Sequence, residues 1–304
     1  MTSARLRLLS ALARAFVKPR LRRADDPIEV RQRFEDQARH SHRAPPHTVR
    51  RKGDMGGVPV LWVSSGPITS PKILFYVHGG AFILGSPETH FHMVAKVCRL
   101  LGCEAVMPRY RLAPVHRFPA GLTDVIAAYE GLIASGRDPG QITVMGDSAG
   151  GCLMMGLLAH LNTTNQPMPA SAVAISPVLD LTGQSESLRQ NAASDAFLVA
   201  DRLDDLNTFY MGDDPRDDPR ASPLWADFPR LPPLLFHVSD DEILRDDSLR
   251  MIDKLKALGH APQLKRWATS FHVFHLMRGY VPEADEALRH IADFIQAQQP
   301  TADN

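Results

Sequence analysis

The sequence predicts an α/β fold, a mainly parallel sheet with helices on both faces. Two observations carry this. Short apolar runs alternate with helical stretches along most of the 304 residues. One such run, Ile142-Thr143-Val144-Met145, ends in Gly146-Asp147-Ser148-Ala149-Gly150-Gly151 and is followed by the helical stretch 152–161. A serine between glycines on a strand-to-helix turn is the pattern of a nucleophile elbow, where a strained backbone holds the hydroxyl out of the packing.

The remaining elements follow in order. Leu6, Leu8, Leu9, Leu12, Ala13, Phe16 and Val17 make an apolar stripe at helical spacing, with Arg5, Arg7, Arg14 and Lys18 interspersed. Arg14 interrupts the stripe and no clear cleavage site follows, so an exported leader is not expected. A second helix is predicted near 27–38, and a pair of strands near 47–64. Ile73-Leu74-Phe75-Tyr76-Val77 reads as a buried strand running into His78-Gly79-Gly80-Ala81. Next come a helix over 88–101, a strand over 104–108, a helix over 120–134, the elbow strand and helix, and a strand over 172–176. Residues 178–231 are rich in Asp and Pro and lack strand alternation. Strands over 234–238 and 263–267 and a helix over 283–298 complete the pattern.

Composition bounds the possibilities. A chain with 44% hydrophobic residues and no low-complexity tract can bury one large core with a small subdomain. Lys plus Arg equals Asp plus Glu at 34 each, so no global charge points to nucleic acid. Cys98, Cys103 and Cys152 form no metal pattern, and their odd number argues against a disulfide framework. The cytoplasm is therefore the expected compartment, with no cofactor and no metal.

A serine hydroxyl is a poor nucleophile at neutral pH and requires a base and a group that orients it. In proteins with this elbow the order along the chain is Ser, then Asp or Glu, then His. The strand at 234–238 opens into Ser239-Asp240-Asp241-Glu242-Ile243-Leu244-Arg245-Asp246-Asp247, where five acidic residues compete. Phe271-His272-Val273-Phe274-His275 offers two histidines. No His-Glu-x-x-His or cysteine cluster supports reading that pair as metal ligands. His40, His42, His90 and His92 are expected to be structural. The loop Asp213-Asp214-Pro215-Arg216-Asp217-Asp218 lacks the glycine of a calcium loop and is expected to be solvated.

The ordered motifs His78-Gly79-Gly80, Tyr110-Arg111-Leu112-Ala113-Pro114 with Phe118-Pro119-Ala120, and the elbow resemble the hormone-sensitive-lipase-like branch (bacterial family IV) of the α/β-hydrolases. The likeness spans roughly residues 45–298, and more loosely the N-terminal segment. Ala81 stands where that family often has a third glycine, Val115 where it often has glutamate, and Val273 where it has glycine after the histidine. The resemblance implies an α/β-hydrolase fold with a helical cap: cap helices in 1–45, a catalytic domain over 46–298 with a second cap segment at 178–231, and a tail at 299–304.

It also implies site roles. Glu242-Ile243-Leu244-Arg245-Asp246 aligned with the family pattern Asp-Pro-Leu-x-Asp puts Glu242 at the acid position, with Asp241 as the fallback. Asp246 and Asp247 then serve the start of the next helix. His272 is the preferred base. Ser148 is the nucleophile, the N–H groups of Gly79, Gly80 and Ala149 form the oxyanion hole, and Asp147 is a supporting residue or a solvated one. The expected activity is serine carboxylesterase action on small to medium apolar esters through an acyl-enzyme. A lactone hydrolase, a long-chain lipase and a non-catalytic ligand-binding module on the same fold are the alternatives. The expected partner is a small-molecule ester, with no nucleic acid. A cap role for the N-terminal helix is preferred over membrane contact, and an apolar edge strand or the last helix offers a surface for a homodimer.

Overall fold

The computed structural model describes residues 2–24, 26–41 and 43–298. Its strands are β1 (Thr48–Met55), β2 (Val58–Ser65), β3 (Ile73–Val77), β4 (Glu104–Pro108), β5 (Ile142–Asp147), β6 (Ser171–Ile175), β7 (Leu234–Ser239) and β8 (Gln263–Trp267). They join in one sheet in the order β1-β2-β4-β3-β5-β6-β7-β8. β1 and β2 form an antiparallel hairpin, β2 runs antiparallel to β4, and every later pairing is parallel.

The helices are α1 (Ala4–Leu12), α2 (Lys18–Arg22), α3 (Pro27–Ser41), α4 (Pro87–Leu101), α5 (Ala120–Ala134), α6 (Ala149–Thr163), α7 (Ser187–Gln190), α8 (Leu203–Met211), α9 (Arg245–Ala257) and α10 (Pro282–Ala297). A wider π-type turn over Ala13–Val17 links α1 to α2. The tail at 299–304, His42 and the side chain of His40 lie outside the described residues.

The sheet is buried on both faces, which is why its central strands are almost wholly apolar. Along β3, Ile73, Phe75 and Val77 enter one core with α5, α6 and α9, while Leu74 and Tyr76 enter the opposite core with α4 and α10. This two-residue alternation follows from the pleat. α4 begins where the Ser86 N–H donates to the Thr89 hydroxyl (3.0 Å) and stops at Gly102, which takes the left-handed conformation.

Strand order reverses at β3, whose neighbours are β4 on one side and β5 on the other. In open α/β sheets the crevice outside the carboxyl ends of such strands is where ligands bind. Val77 pairs with Gly146, so the His78-Gly79-Gly80 loop and the Ser148 turn leave the sheet side by side.

The two segments expected to form a cap meet near the ends of β7 and β8. Leu6 of α1 is fully buried among Ala196, Trp267, Phe271, Phe274, Ala284 and Ala287. Arg14 donates to the Ser194 carbonyl (2.6 Å), and the Lys18 ammonium donates to the carbonyls of Ala192 and Asp195 (2.7 Å each). Arg31 of α3 reaches the carbonyls of Ile83 and Ala113 (2.6 Å each), just beyond the glycine loop. Asp213, Asp214 and Asp217 are exposed and Asp218 pairs with Arg220 (2.7 Å). Val115 is also exposed, and nearby Arg111 pairs with Asp124 (2.7 Å).

Candidate active site

Ser148 sits at φ 52°, ψ −122°, between the last residue of β5 and the first of α6. The helix starts directly after the serine, three residues earlier than the sequence pattern indicates, because the turn is that tight. A Cβ on Gly150 would lie 2.1 Å from the Val77 carbonyl oxygen and 2.5 Å from that of His78, so no larger residue fits there. The Ser148 side chain is left half-buried, and its N–H is fixed on the Ile175 carbonyl (2.9 Å).

The adjoining loop corrects one expectation. The N–H of Gly79 donates to Asp147 Oδ1 (2.9 Å), so Gly79 is not available to an oxyanion. Gly80 at φ 119° and Ala81 at φ 51° carry the chain through the next turn, and the Gly80 carbonyl accepts from Ile83 and Leu84 (3.0 and 2.9 Å). Among the described residues, no group accepts from the N–H of Gly80, Ala81 or Ala149. A bound oxyanion would satisfy donors left open in this way.

Asp147 is buried, not solvated, and accepts from the Tyr76 hydroxyl as well as from Gly79. Its second oxygen lies 3.5 Å from His90 Nε2. Burial pushes its carboxyl up, but His90, the Tyr76 hydroxyl and the Gly79 N–H outweigh burial and hold it below the ordinary aspartate value. His78 stacks on Tyr110 with ring centres 4.3 Å apart, and burial drives it down to about 3, so it stays neutral.

Glu242 and His272 are brought together from the loops after β7 and β8. His272 Nδ1 donates to Glu242 Oε2 at 2.7 Å, which leaves Nε2 as the basic nitrogen. The other carboxylate oxygen accepts from the Ser176 hydroxyl (2.9 Å) and the Ser239 N–H (2.8 Å). Ser176 follows β6 at φ 46° and is adjacent to Ile175, the acceptor of the Ser148 N–H, so Ser148 and Glu242 are tied to one turn. Burial lowers the His272 pKa, but the Glu242 hydrogen bond and charge outweigh it and set the pKa above 6.5.

The competing residues have other partners. Asp240 takes Arg266 (2.7 Å), Asp246 takes Arg245 and the Ser187 N–H (2.8 Å each), and Asp247 takes the Leu179 N–H (2.7 Å) and the Ser185 hydroxyl (2.5 Å). Asp241 is half-buried within the field of Arg14, and it makes no hydrogen bond to His272. His275 turns away into a file of imidazoles, with its Nε2 3.0 Å from His237 Nδ1 and His237 Nε2 2.9 Å from His290 Nδ1. Burial holds His275 down at about 3, as expected of a packed, neutral ring.

Other contributors carry no sequence signal. Asn191 donates to the carbonyls of Asp240 and Glu242 (2.8 Å each), and the fully buried Asp195 accepts the Ile243 N–H (2.9 Å). The acid loop is thus held from outside by the segment that Arg14 and Lys18 clamp. His90, expected to be only structural, is in contact with the elbow through Asp147.

A sequence profile described as alpha/beta hydrolase fold matches residues 74–276. An esterase of Acinetobacter venetianus is 35% identical over 227 residues, covering 74% of this chain and 75% of the relative. An acetyl-hydrolase of Streptomyces hygroscopicus is 35% identical over 226 residues, with 74% and 75% covered. Among solved structures, an esterase from the bacterial hormone-sensitive lipase family superposes with a TM-score of 0.91 at 32% identity, covering 98% of this chain and 99% of that one. A sheet reversing at β3, a serine elbow at the carboxyl end of β5 and relatives of this extent place the chain in the hormone-sensitive-lipase-like family of α/β-hydrolases, as a carboxylic ester hydrolase.

Proposed function

We propose that the protein is a serine esterase for small to medium apolar carboxylic esters, acting through Ser148, His272 and Glu242. His272 Nε2 takes the proton of Ser148 as Oγ attacks the ester carbonyl. Glu242 holds the imidazole in the tautomer with the proton on Nδ1 and stabilises its positive charge. The resulting oxyanion is received by the N–H groups of Gly80, Ala81 and Ala149, each worth about 3 kcal/mol of barrier. His272 then gives its proton to the leaving alcohol, and water repeats the sequence on the acyl-enzyme. Asp147 acts as a positioning residue, fixing the glycine loop through the Gly79 N–H.

The observation that carries this reading is the 2.7 Å pair of His272 Nδ1 with Glu242 Oε2, in the loops that leave the carboxyl ends of β7 and β8, the same end of the sheet as the Ser148 turn. We place the acyl group beside the buried aromatic side chains that follow the oxyanion loop, whose bulk would limit its length. Phe82 stacks on Tyr210 with ring centres 3.8 Å apart, and Tyr210 meets the edge of Phe118. The N-terminal helices and the 178–231 segment, which meet over the same end of the sheet, are proposed as the two parts of the cap.

The test is a p-nitrophenyl ester series from acetate to palmitate. Turnover should peak at short chains and fall about a millionfold in Ser148→Ala. Absence of turnover by folded wild-type protein at every chain length would overturn the proposal.

A further inference from the structure

We propose that the outer face of the N-terminal helix seats this protein on an anionic lipid surface. The helix carries apolar side chains on both faces, with Arg5 beside those of the outer one. Its inner face docks in the molecule, with Leu6 at 0% exposure and Leu9 and Ala13 packed on the Trp267–Phe274 cluster. On its outer face Ala4, Leu8, Ala11, Leu12, Ala15 and Phe16 are all exposed, Leu8 at 60%, Leu12 at 43% and Phe16 at 59%. Leu8, Leu12 and Phe16 recur every four residues, so they form one continuous ridge. A docked helix that needed only to cover the active site would keep that face polar.

Charge identifies the occupant. The chain balances 34 basic against 34 acidic residues, yet its first acidic residue is Asp25, after seven basic ones at 5, 7, 14, 18, 20, 22 and 23. Three of these are already committed: Arg14 to Ser194, Lys18 to Ala192 and Asp195, and Arg22 to Asp201. Arg5, Arg7, Arg20 and Arg23 are exposed and, among the described residues, have no acidic partner. An apolar ridge rimmed by unpaired arginines matches the acyl and phosphate layers of an anionic bilayer. Pairing with a second copy through the same face would set arginine against arginine. No helix among the described residues is long and apolar enough to cross a membrane, so the helix would lie in the interface.

The test is cosedimentation of the full chain with vesicles of phosphatidylcholine mixed equally with phosphatidylglycerol, against vesicles of phosphatidylcholine alone. Binding to the anionic vesicles should be at least about tenfold tighter, and it should weaken at high salt. Leu8→Ser/Leu12→Ser/Phe16→Ser should abolish it while lowering the melting temperature by no more than a few degrees, because these side chains are largely exposed in the free protein. Arg5→Gln/Arg7→Gln gives an independent reading, with binding weakened by about fivefold per charge. Wild-type protein that stays in the supernatant, or a triple variant that binds as wild type does, would refute the proposal. So would a wild-type dimer, seen by sedimentation velocity, that the triple substitution dissolves, since the ridge would then be an interface between copies.

Discussion

His272 Nδ1 lies 2.7 Å from Glu242 Oε2, and among the described residues no other carboxylate hydrogen-bonds to that imidazole. Glu242 is itself wholly buried and receives Ser176 and Ser239 on its second oxygen, so its orientation is fixed from both sides. Glu242→Gln replaces an acceptor with an amide that can favour the wrong imidazole tautomer. It should lower kcat about ten-thousandfold, whereas Asp241→Ala should stay within about threefold. Steady-state kinetics on p-nitrophenyl acetate compares the two, and a larger loss in the Asp241 variant would reverse the assignment.

The Glu242 charge also sets a pH dependence. As the proposed base, His272 must be neutral to take the serine proton, and its pKa is raised above the ordinary 6.5 by Glu242, so kcat/KM should fall on the acid side with an inflection above pH 6.5. Glu242→Gln should move that limb to lower pH. The sign for stability is opposite in sense: a histidine whose folded pKa is raised stabilises the fold fully below its unfolded value. That contribution is lost as pH rises through the folded one. A pH–rate profile whose acid limb is unmoved in the glutamine variant would contradict the coupling.

Much of this site is legible in sequence where the constraint is local. The elbow is readable because Gly150 must accept the Val77 carbonyl at its Cα, and that demand appears as a glycine two residues after the serine. β4 and α5 have the bounds their patterns indicate, since apolar spacing and flanking turns set them. The Gly79 partner could not be foreseen, because a glycine motif does not say where each N–H points, and the acceptor is Asp147, brought in by the pairing of β3 with β5. Nor is the placement of β4 outside β3 written in any one strand. Asn191 and Asp195 act on Glu242 and Ile243 through backbone groups, from a segment whose sequence shows only polarity.

Those two residues give a further prediction. Asn191 and Asp195 hold the backbone on either side of the Glu242 carboxylate without touching substrate, and the Lys18 ammonium holds their turn. Asn191→Ala should lower kcat by about ten- to a hundredfold with KM little changed, because the imidazole partner loses position and the pocket does not change. Lys18→Met removes two charge-assisted hydrogen bonds and should cost about 2 kcal/mol by urea unfolding. It should also lower kcat in the same direction as Asn191→Ala. A stability loss with unaltered kcat would mean that the N-terminal helix braces the fold and not the acid loop.

Both departures from family glycines, Ala81 and Val273, fall at left-handed backbone, φ 51° and 49°. An L-residue there costs about 1–2 kcal/mol, while restoring glycine returns about 0.4–1 kcal/mol of unfolded-chain entropy to the opposing side. Ala81 is only half-buried and has little packing to lose, so Ala81→Gly should stabilise by roughly 0.5 kcal/mol. Its N–H stays in place, so kcat should remain within about threefold. Val273 differs because its side chain is 4% exposed, within the core that includes Leu288 and Ile291. Losing that burial costs about 2–3 kcal/mol, more than the strain relieved, so Val273→Gly should be net destabilising by about 1 kcal/mol. It should also loosen His272 and lower kcat. Urea midpoints of the two variants should therefore move in opposite directions. If both rise, backbone strain outweighs packing at Val273; if both fall, the positive φ at Ala81 is not the strain assigned to it.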